Sequence, residues 1–280
     1  MINNLPIYLI KLIKSFLSQR RFRVKLGSEY SSCKYPEAGV PQGAVLSPIL
    51  FNILICDMPT PSNCTLAQFA DDAAILTSNR RASTIKNTLD KGLACLDRYY
   101  KKWKLKINPQ KTELAFFTRR RLERAFPRTN LVLDNQTIMW QDNAKYLGVI
   151  LDQKLTFKKH VDSIVTKCGK IIRMLYSLLS RNSKLNYTNK LLIYKMIIQP
   201  IILYGCPVWG SCALSHLRLL QRTQNRILKM CLNKPWRYPT LDLHNDAKID
   251  NIMDKIMRSR QKFENRCQFA SNPLIVGLFG

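Results

Sequence analysis

Acid is what this sequence most lacks. Its 280 residues hold 18 Asp and Glu against 45 Lys and Arg, a formal net charge of +27. Such an excess goes beyond what solubility requires and calls for a polyanionic partner, either nucleic acid or an anionic membrane surface. Long apolar runs are missing as well. The most apolar stretch, Leu191 to Gly210, is interrupted by Lys195, Gln199 and Pro200, so it falls short of the roughly twenty apolar residues that a span needs. A buried helix is expected there, and no membrane partner. The run from Leu5 to Leu17 carries Lys11 and Lys14 and lacks a small-residue cleavage site, which argues against a signal peptide. The nine cysteines are odd in number and contain no C-x-x-C pair. A disulfide framework is thereby excluded and a reducing compartment implied. Cys206, Cys212, His216 and Cys231 could gather around zinc, but in so apolar a context buried thiols are the simpler reading.

What is present is enough apolar material, 46% of residues, to build a core. Residues 5–19 place Leu9, Leu12, Ile13, Phe16 and Leu17 on one helical stripe. Two short strands, Arg20 to Leu26 and Glu29 to Tyr35, flank Gly27-Ser28, and a breaker-rich segment, Pro36 to Gly43, follows. A helix is expected from Val45 to Met58, with Ser47-Pro48 as its start signal. Strands at Thr65 to Ala70 and Ala73 to Ser78 meet at Asp71-Asp72. A long helix covers Ala82 to about Trp103, Thr112 to Thr118 returns as a strand into Arg119-Arg120-Arg121, and Lys145 to Asp152 is the last clear strand. Beyond Phe157 the period becomes helical, roughly over 157–181, 186–205 and 213–234. The fold class is therefore α+β. It divides near residue 153 into a mixed unit, 1–152, and a helical one, 153–280, with no internal repeat.

Successive strand side chains point to opposite faces, so adjacent acids can approach one site only where a tight turn reorients the chain. Phe69-Ala70-Asp71-Asp72 is such a place. Carboxylates flanked by Leu66, Phe69, Ile75 and Leu76 are costly unless solvated or met by a cation, and oxygen donors suit Mg²⁺. Alone, an Asp-Asp pair more often marks a solvated turn.

The pair does not stand alone. Gly39-Val40-Pro41-Gln42-Gly43-Ala44-Val45-Leu46-Ser47-Pro48 precedes it. Leu105-Lys106-Ile107-Asn108 with Lys111-Thr112, and then Lys145-Tyr146-Leu147-Gly148-Val149, follow it. This ordered series resembles the reverse transcriptases of jockey-like and other LINE-type, non-LTR retrotransposons. Tyr194 to Pro200 and Tyr204-Gly205 with Trp209 look like the thumb of those proteins, so the likeness covers nearly the whole chain.

The resemblance implies a partial right-hand polymerase palm, antiparallel strands with helices, followed by an α-helical thumb and C-terminal region. It makes Asp71 and Asp72 the ligands of catalytic Mg²⁺, two ions in the complete enzyme, with Phe69 and Ala70 shaping the floor. Gly39, Pro41, Gln42 and Gly43 would lie against the incoming nucleotide and template. Lys111 would protonate departing pyrophosphate, and Tyr146, Leu147 and Gly148 would grip the primer. Ordinary packing, a solvated lysine and a buried strand are the plain alternatives for these positions. The implied partners are an RNA template, a DNA primer and deoxynucleoside triphosphates. The implied location is intracellular, nuclear and cytoplasmic, and not secreted.

A polymerase of this kind also needs an aspartate on a palm strand upstream of the helix that begins near Leu5. The sequence starts too late to contain it, so an N-terminally truncated chain, inactive by itself, is expected. A catalytically dead nucleic-acid-binding remnant and a group II intron maturase fragment are the alternative readings.

Basic clusters at Arg20, Arg21, Arg23 and Lys25, at Arg119, Arg120, Arg121 and Arg124, and at Lys158 and Lys159 supply candidate phosphate contacts. Binding to RNA or an RNA–DNA duplex should therefore weaken steeply with salt, log K falling by roughly 0.7 to 0.9 per phosphate contact for each tenfold rise in concentration. Fluorescence anisotropy across a salt series checks this. Tight binding that ignores ionic strength, or none at low salt, contradicts it.

Overall fold

The structure is a computed structural model, and it describes residues 5–36, 39–118, 130–133, 136–272 and 275. In chain order the elements are α1 (Ile7–Leu17), β1 (Lys25–Leu26), β2 (Glu29–Tyr30), α2 (Leu46–Ile55), β3 (Thr65–Phe69), β4 (Asp72–Leu76) and α3 (Ala82–Lys102). A 3₁₀ turn at Pro109–Lys111 then leads to β5 (Leu114–Ala115), β6 (Leu131–Leu133), β7 (Gln136–Ile138), β8 (Trp140–Gln141), β9 (Asn143–Tyr146) and β10 (Val149–Asp152). The remainder is helical: α4 (Lys158–Met174), α5 (Tyr176–Leu179), α6 (Tyr187–Ile193), a π turn at Tyr194–Ile198, α7 (Gln199–Leu203), α8 (Cys206–Trp209), α9 (Leu214–Cys231), α10 (Thr240–Ala247) and α11 (Ile252–Gln268). The chain packs as two units, one of Met1–Pro109 with Pro127–Thr137, the other of Gln110–Phe126 with Ile138–Gly280.

In the first unit, α3 is the organising helix. Ile85, Leu89, Leu96 and Tyr99 recur at helical spacing and are buried, giving the helix one apolar face. Tyr99 ends that face with its hydroxyl donating to the Asp57 carboxylate at 2.7 Å. Burial first, and this carboxylate second, push the phenol well above its ordinary value. Gly92 lets Pro61 and Cys64 approach to about 3.5 Å of where a Cβ would stand. α1 buries none of its residues: Leu9, Ile13, Phe16 and Leu17 are half-buried and Leu12 is exposed.

The second unit contains the large core. Val161, Leu179, Tyr194, Ile198, Ile202, Trp209, Leu220, Ile227, Leu228, Leu243, Ile252 and Ile256 are all fully enclosed. Pro200 lacks an N–H and its ring crowds the carbonyl four residues back. The π turn lies immediately before it, loosening the helical ladder where the proline cannot continue it. Within this core sits a fully buried amide, Gln224. Its Nε2 donates to the Tyr194 hydroxyl (3.0 Å) and the Asp250 carbonyl (2.9 Å), and its Oε1 accepts from the Ile252 N–H (2.8 Å) and Gln221 Nε2 (2.9 Å). All four hydrogen-bonding positions of the side chain are thus filled. Lys190 is also buried, its ammonium donating to the Ser180 carbonyl at the end of α5.

The mixed class expected from the sequence is the class observed. Several elements differ in detail. Lys145 to Asp152 is two strands turning at Leu147-Gly148, because Leu147 (φ 45°) and Gly148 (φ 79°) adopt the left-handed backbone of a two-residue hairpin. The expected strand at Thr112 to Thr118 shortens to β5, and its continuation into Arg119-Arg120-Arg121 lies outside the described residues. β6, β7 and β8, each of two or three residues, and the helices α10 and α11 carried no clear signal. The packing units also divide elsewhere than residue 153: β10 packs on α4, which draws the β9–β10 hairpin into the helical unit.

Replacing Gln224 with Leu removes all four bonds while keeping the volume similar. Leaving buried polar groups unmet costs about 1–3 kcal/mol each, and Gln221 can still serve the Ile252 N–H. A net loss of roughly 2–4 kcal/mol is expected, read from urea unfolding followed by helical circular dichroism. A loss below about 0.5 kcal/mol would show that the network is dispensable.

Candidate functional site

The two acids sit on the β3–β4 hairpin. Its register pairs Phe69 with Asp72, so the turn is the two residues Ala70-Asp71 and Asp72 opens the returning strand. Ala70 has φ 52°, the left-handed conformation such a tight reversal requires. The acids therefore do not share the turn, as the sequence pattern suggested. Asp71 occupies it and Asp72 follows it. Both are exposed, and the apolar flanks do not enclose them: Phe69 is 64% exposed and Leu76 50%. Desolvation therefore does not call for a metal here, contrary to what the apolar flanks suggest. In its place stand two adjacent hydrated carboxylates, neither of them in an ion pair among the described residues. Such donors fit part of a Mg²⁺ shell, since that ion keeps several waters and is commonly held by one or two carboxylates together with substrate phosphates. No group of three or more His, Cys, Asp or Glu with metal-holding proximity occurs among the described residues.

The segment before α2 belongs to the same unit. Gly39 (φ 83°) and Gly43 (φ 86°) both take the left-handed backbone, and nothing stands within 4 Å of where their Cβ atoms would be. The loop is open on those sides, with Gln42 exposed; Glu37 and Ala38 lie outside the described residues. Ser47 does not cap α2, as its place beside Pro48 suggested. Its buried hydroxyl donates instead to the Pro41 carbonyl at 2.5 Å, which closes the loop back on the helix. Arg20 anchors the other end, donating to the Gly39 carbonyl at 2.7 Å.

The remaining candidates belong to the second unit. Lys111 ends the 3₁₀ turn and is exposed. Two residues on, the Glu113 carboxylate accepts from the Lys145 N–H at 2.6 Å, which fastens this segment to β9. Tyr146, Leu147 and Gly148 form the end of the β9–β10 hairpin, with Tyr146 and Leu147 half-buried and Gly148 exposed. The Tyr204 hydroxyl donates to the Leu147 carbonyl at 2.9 Å, and its ring edge comes within 3.0 Å of the Gly148 Cβ position. Glycine is required there twice over, by its φ and by this approach. The Trp209 indole in turn donates to the Tyr204 carbonyl at 2.8 Å. Sequence reading placed Tyr204 and Gly205 in a helical region without connecting them to the hairpin. The positive φ of Gly205 (63°), which bends the chain at that tyrosine, and the approach of Val149 Cγ2 to 3.1 Å of its Cβ position explain the glycine there.

Arg21, Arg23, Lys25, Lys158 and Lys159 are exposed and Arg20 is half-buried, whereas Arg119, Arg120, Arg121 and Arg124 lie outside the described residues. Cys206 and Cys231 are buried thiols. Burial raises both, Cys231 to about 11 against the opposing pull of Lys190.

The reverse transcriptase (RNA-dependent DNA polymerase) family matches residues 3–151. The chain is 34% identical over 279 residues to the probable RNA-directed DNA polymerase from transposon X-element of Drosophila melanogaster, covering 98% of this chain and 30% of that protein. It is likewise 34% identical over 278 residues to the RNA-directed DNA polymerase from mobile element jockey of the same species, covering 96% and 30%. The jockey polymerase of Drosophila funebris gives 34% over 274 residues, covering 95% and 30%. The chain thus spans about 30% of the length of these curated relatives. With the ordered motifs, the strand-then-helix fold and a match that runs through both hairpins, the chain belongs to the reverse transcriptase family of non-LTR retrotransposons.

Proposed function

We propose that these residues serve RNA-templated DNA synthesis, with Asp71 and Asp72 holding Mg²⁺ at the primer end. The observation that carries this reading is the pair of exposed carboxylates at and just after a two-residue hairpin turn, neither in an ion pair among the described residues. Divalent ions there would lower the pKa of the primer 3′-hydroxyl and neutralise charge on the leaving pyrophosphate. The protein's own part is placement. The Ala70-Asp71 turn and the first position of the returning strand present two successive carboxylates without burying them. The Gly39 to Gly43 loop offers backbone that a nucleotide can approach closely, and the Gln42 amide can bond a base or sugar without adding charge. Lys111 is an exposed ammonium suited to donate a proton to departing pyrophosphate. Tyr146, Leu147 and Gly148 present a stiff two-residue turn, held from behind by Tyr204, against which a primer end can be positioned. RNA template, DNA primer and deoxynucleoside triphosphates are the corresponding partners.

A role in nucleic-acid binding alone is the second reading. It is favoured by the lack of a third acidic residue near the pair among the described residues. The two readings separate on Asp71→Ala in the full-length protein. Catalysis predicts that RNA-templated primer extension falls by several orders of magnitude while duplex affinity stays within about twofold, because metal ligands act on the transition state and phosphate contacts supply affinity. Extension at near wild-type rate removes Asp71 from the mechanism.

Gly148→Ala tests the primer-end assignment. A non-glycine residue in the left-handed region costs roughly 1–2 kcal/mol, and the added methyl meets the Tyr204 ring. The turn should shift rather than unfold, slowing extension about 10- to 100-fold with an unchanged circular dichroism spectrum. An unaltered rate shows that the turn does not position the primer.

A further inference from the structure

Along α11 the side chains of Lys255, Lys262 and Arg266 fall within about 20° of one line, at 100° per residue, and Arg258 lies beside them. They form one wall of an open groove of about 620 Å³, whose other wall is the chain around Leu203 and Pro207. The charges on this wall are poorly compensated. Asp250 is the acidic residue of the groove, and it is taken by Arg258 at 2.6 Å. Neither Lys262 nor Arg266 has an acidic partner among the described residues. Lys255 reaches only the amide oxygen of Gln199, at 3.2 Å. Burial, and then the cations Lys195 and Arg258, weaken its hold on its proton against the pull of Asp250. By contrast, the acids Asp254 and Glu264 fall on other faces of the helix, with Glu264 paired to Arg260 at 2.7 Å. Four of the five cations of α11 thus line the groove, and neither of the helix's two acids does. Among them stands Phe263, 38% exposed, a flat apolar surface within a cationic wall.

We propose that this groove binds a single-stranded nucleic acid, Lys255, Lys262 and Arg266 meeting successive phosphates and Phe263 stacking on a base. The site lies outside residues 3–151, where the family match ends, and is additional to the carboxylate hairpin. Single strand is favoured over duplex because a cation row interleaved with an aromatic is the arrangement that uses unstacked bases. A nucleic acid is favoured over an acidic protein or anionic membrane by the family to which the chain belongs, and to that extent the inference rests on the proposed function. RNA and DNA strands share the phosphate and base chemistry, and the groove is assigned to that shared chemistry.

The test uses the full chain with Lys255→Gln, Lys262→Gln and Arg266→Gln combined. A control of equal charge loss replaces Lys91, Arg98 and Lys102 on α3 with Gln. Anisotropy is measured with labelled single-stranded RNA, single-stranded DNA and a duplex across a salt series, and with anionic vesicles at one ionic strength. Losing three phosphate contacts should lower the single-strand salt slope by about 2 and the affinity at 0.1 M salt by about a hundredfold, with the control slope unchanged. Phe263→Ala should weaken single strands several-fold and duplex hardly at all. A greater loss on RNA than on DNA assigns the site to RNA, and an equal loss to either strand. An unchanged slope, an equal change in the control, or a loss confined to duplex or vesicles overturns the proposal. Primer extension by the full-length protein carrying Phe263→Ala separates the two readings: extension abolished by Asp71→Ala but kept here leaves the polymerase assignment intact whatever the groove binds.

Discussion

The helical unit depends on one buried amide. Gln224 lies midway along α9, wholly out of water, and its bonds reach the π turn at Tyr194, the Asp250 carbonyl and Ile252 N–H at the entry to α11, and Gln221 on its own helix. Apolar burial would bring these elements together in many registers. A side chain with four directional partners selects one, since any slip strands polar groups in the core. Ile256 of α11 then seats against Gly210, where a Cβ would stand 2.7 Å from it. The same arrangement carries the two surfaces of this unit proposed to meet nucleic acid. One is the basic wall of α11. The other is the β9–β10 turn, reached through the Trp209 indole, the Tyr204 carbonyl and the Tyr204 hydroxyl.

The carboxylate hairpin obeys a different constraint. It keeps its charges in water, and among the described residues no cation pairs with Asp71 or Asp72. A polymerase that must admit substrate phosphates at each addition benefits from ligands that are placed but unsatisfied. In a chain of net charge +27 a polyanion is drawn to the surface in general. On the proposed reading, Asp71 and Asp72 mark where on that surface a cation would mediate the contact.

How much of this was legible in the sequence follows from how local each signal is. The helices α3, α4 and α9 declare themselves through apolar spacing, and the β3–β4 hairpin through alternating strands around an acid pair, because both depend on neighbours in sequence. The family resemblance was carried by short ordered motifs and needed no packing. Partnerships across long separations were not legible. Nothing in Ser47 foretells its bond to the Pro41 carbonyl rather than to the α2 backbone. Nothing in Tyr204 names Leu147, 57 residues away, as its partner. The exposure of Asp71 and Asp72 is hidden from the sequence for the same reason: Phe69 and Leu76 are apolar, but whether they enclose the acids depends on what packs over them. Gln224 reads as an ordinary polar position until Tyr194 and Ile252 are brought to it.

The central claim is that Asp71 and Asp72 hold a divalent cation at the site of nucleotidyl transfer. It is tested most directly by titrating Mn²⁺ into isotopically labelled protein bound to an RNA–DNA duplex and following paramagnetic broadening of backbone amide resonances. The account predicts broadening centred on the residues of the β3–β4 turn, Phe69 to Ala73, competed away by Mg²⁺ and abolished by the double substitution Asp71→Asn and Asp72→Asn. Broadening centred elsewhere in the chain, or surviving that substitution, would contradict it.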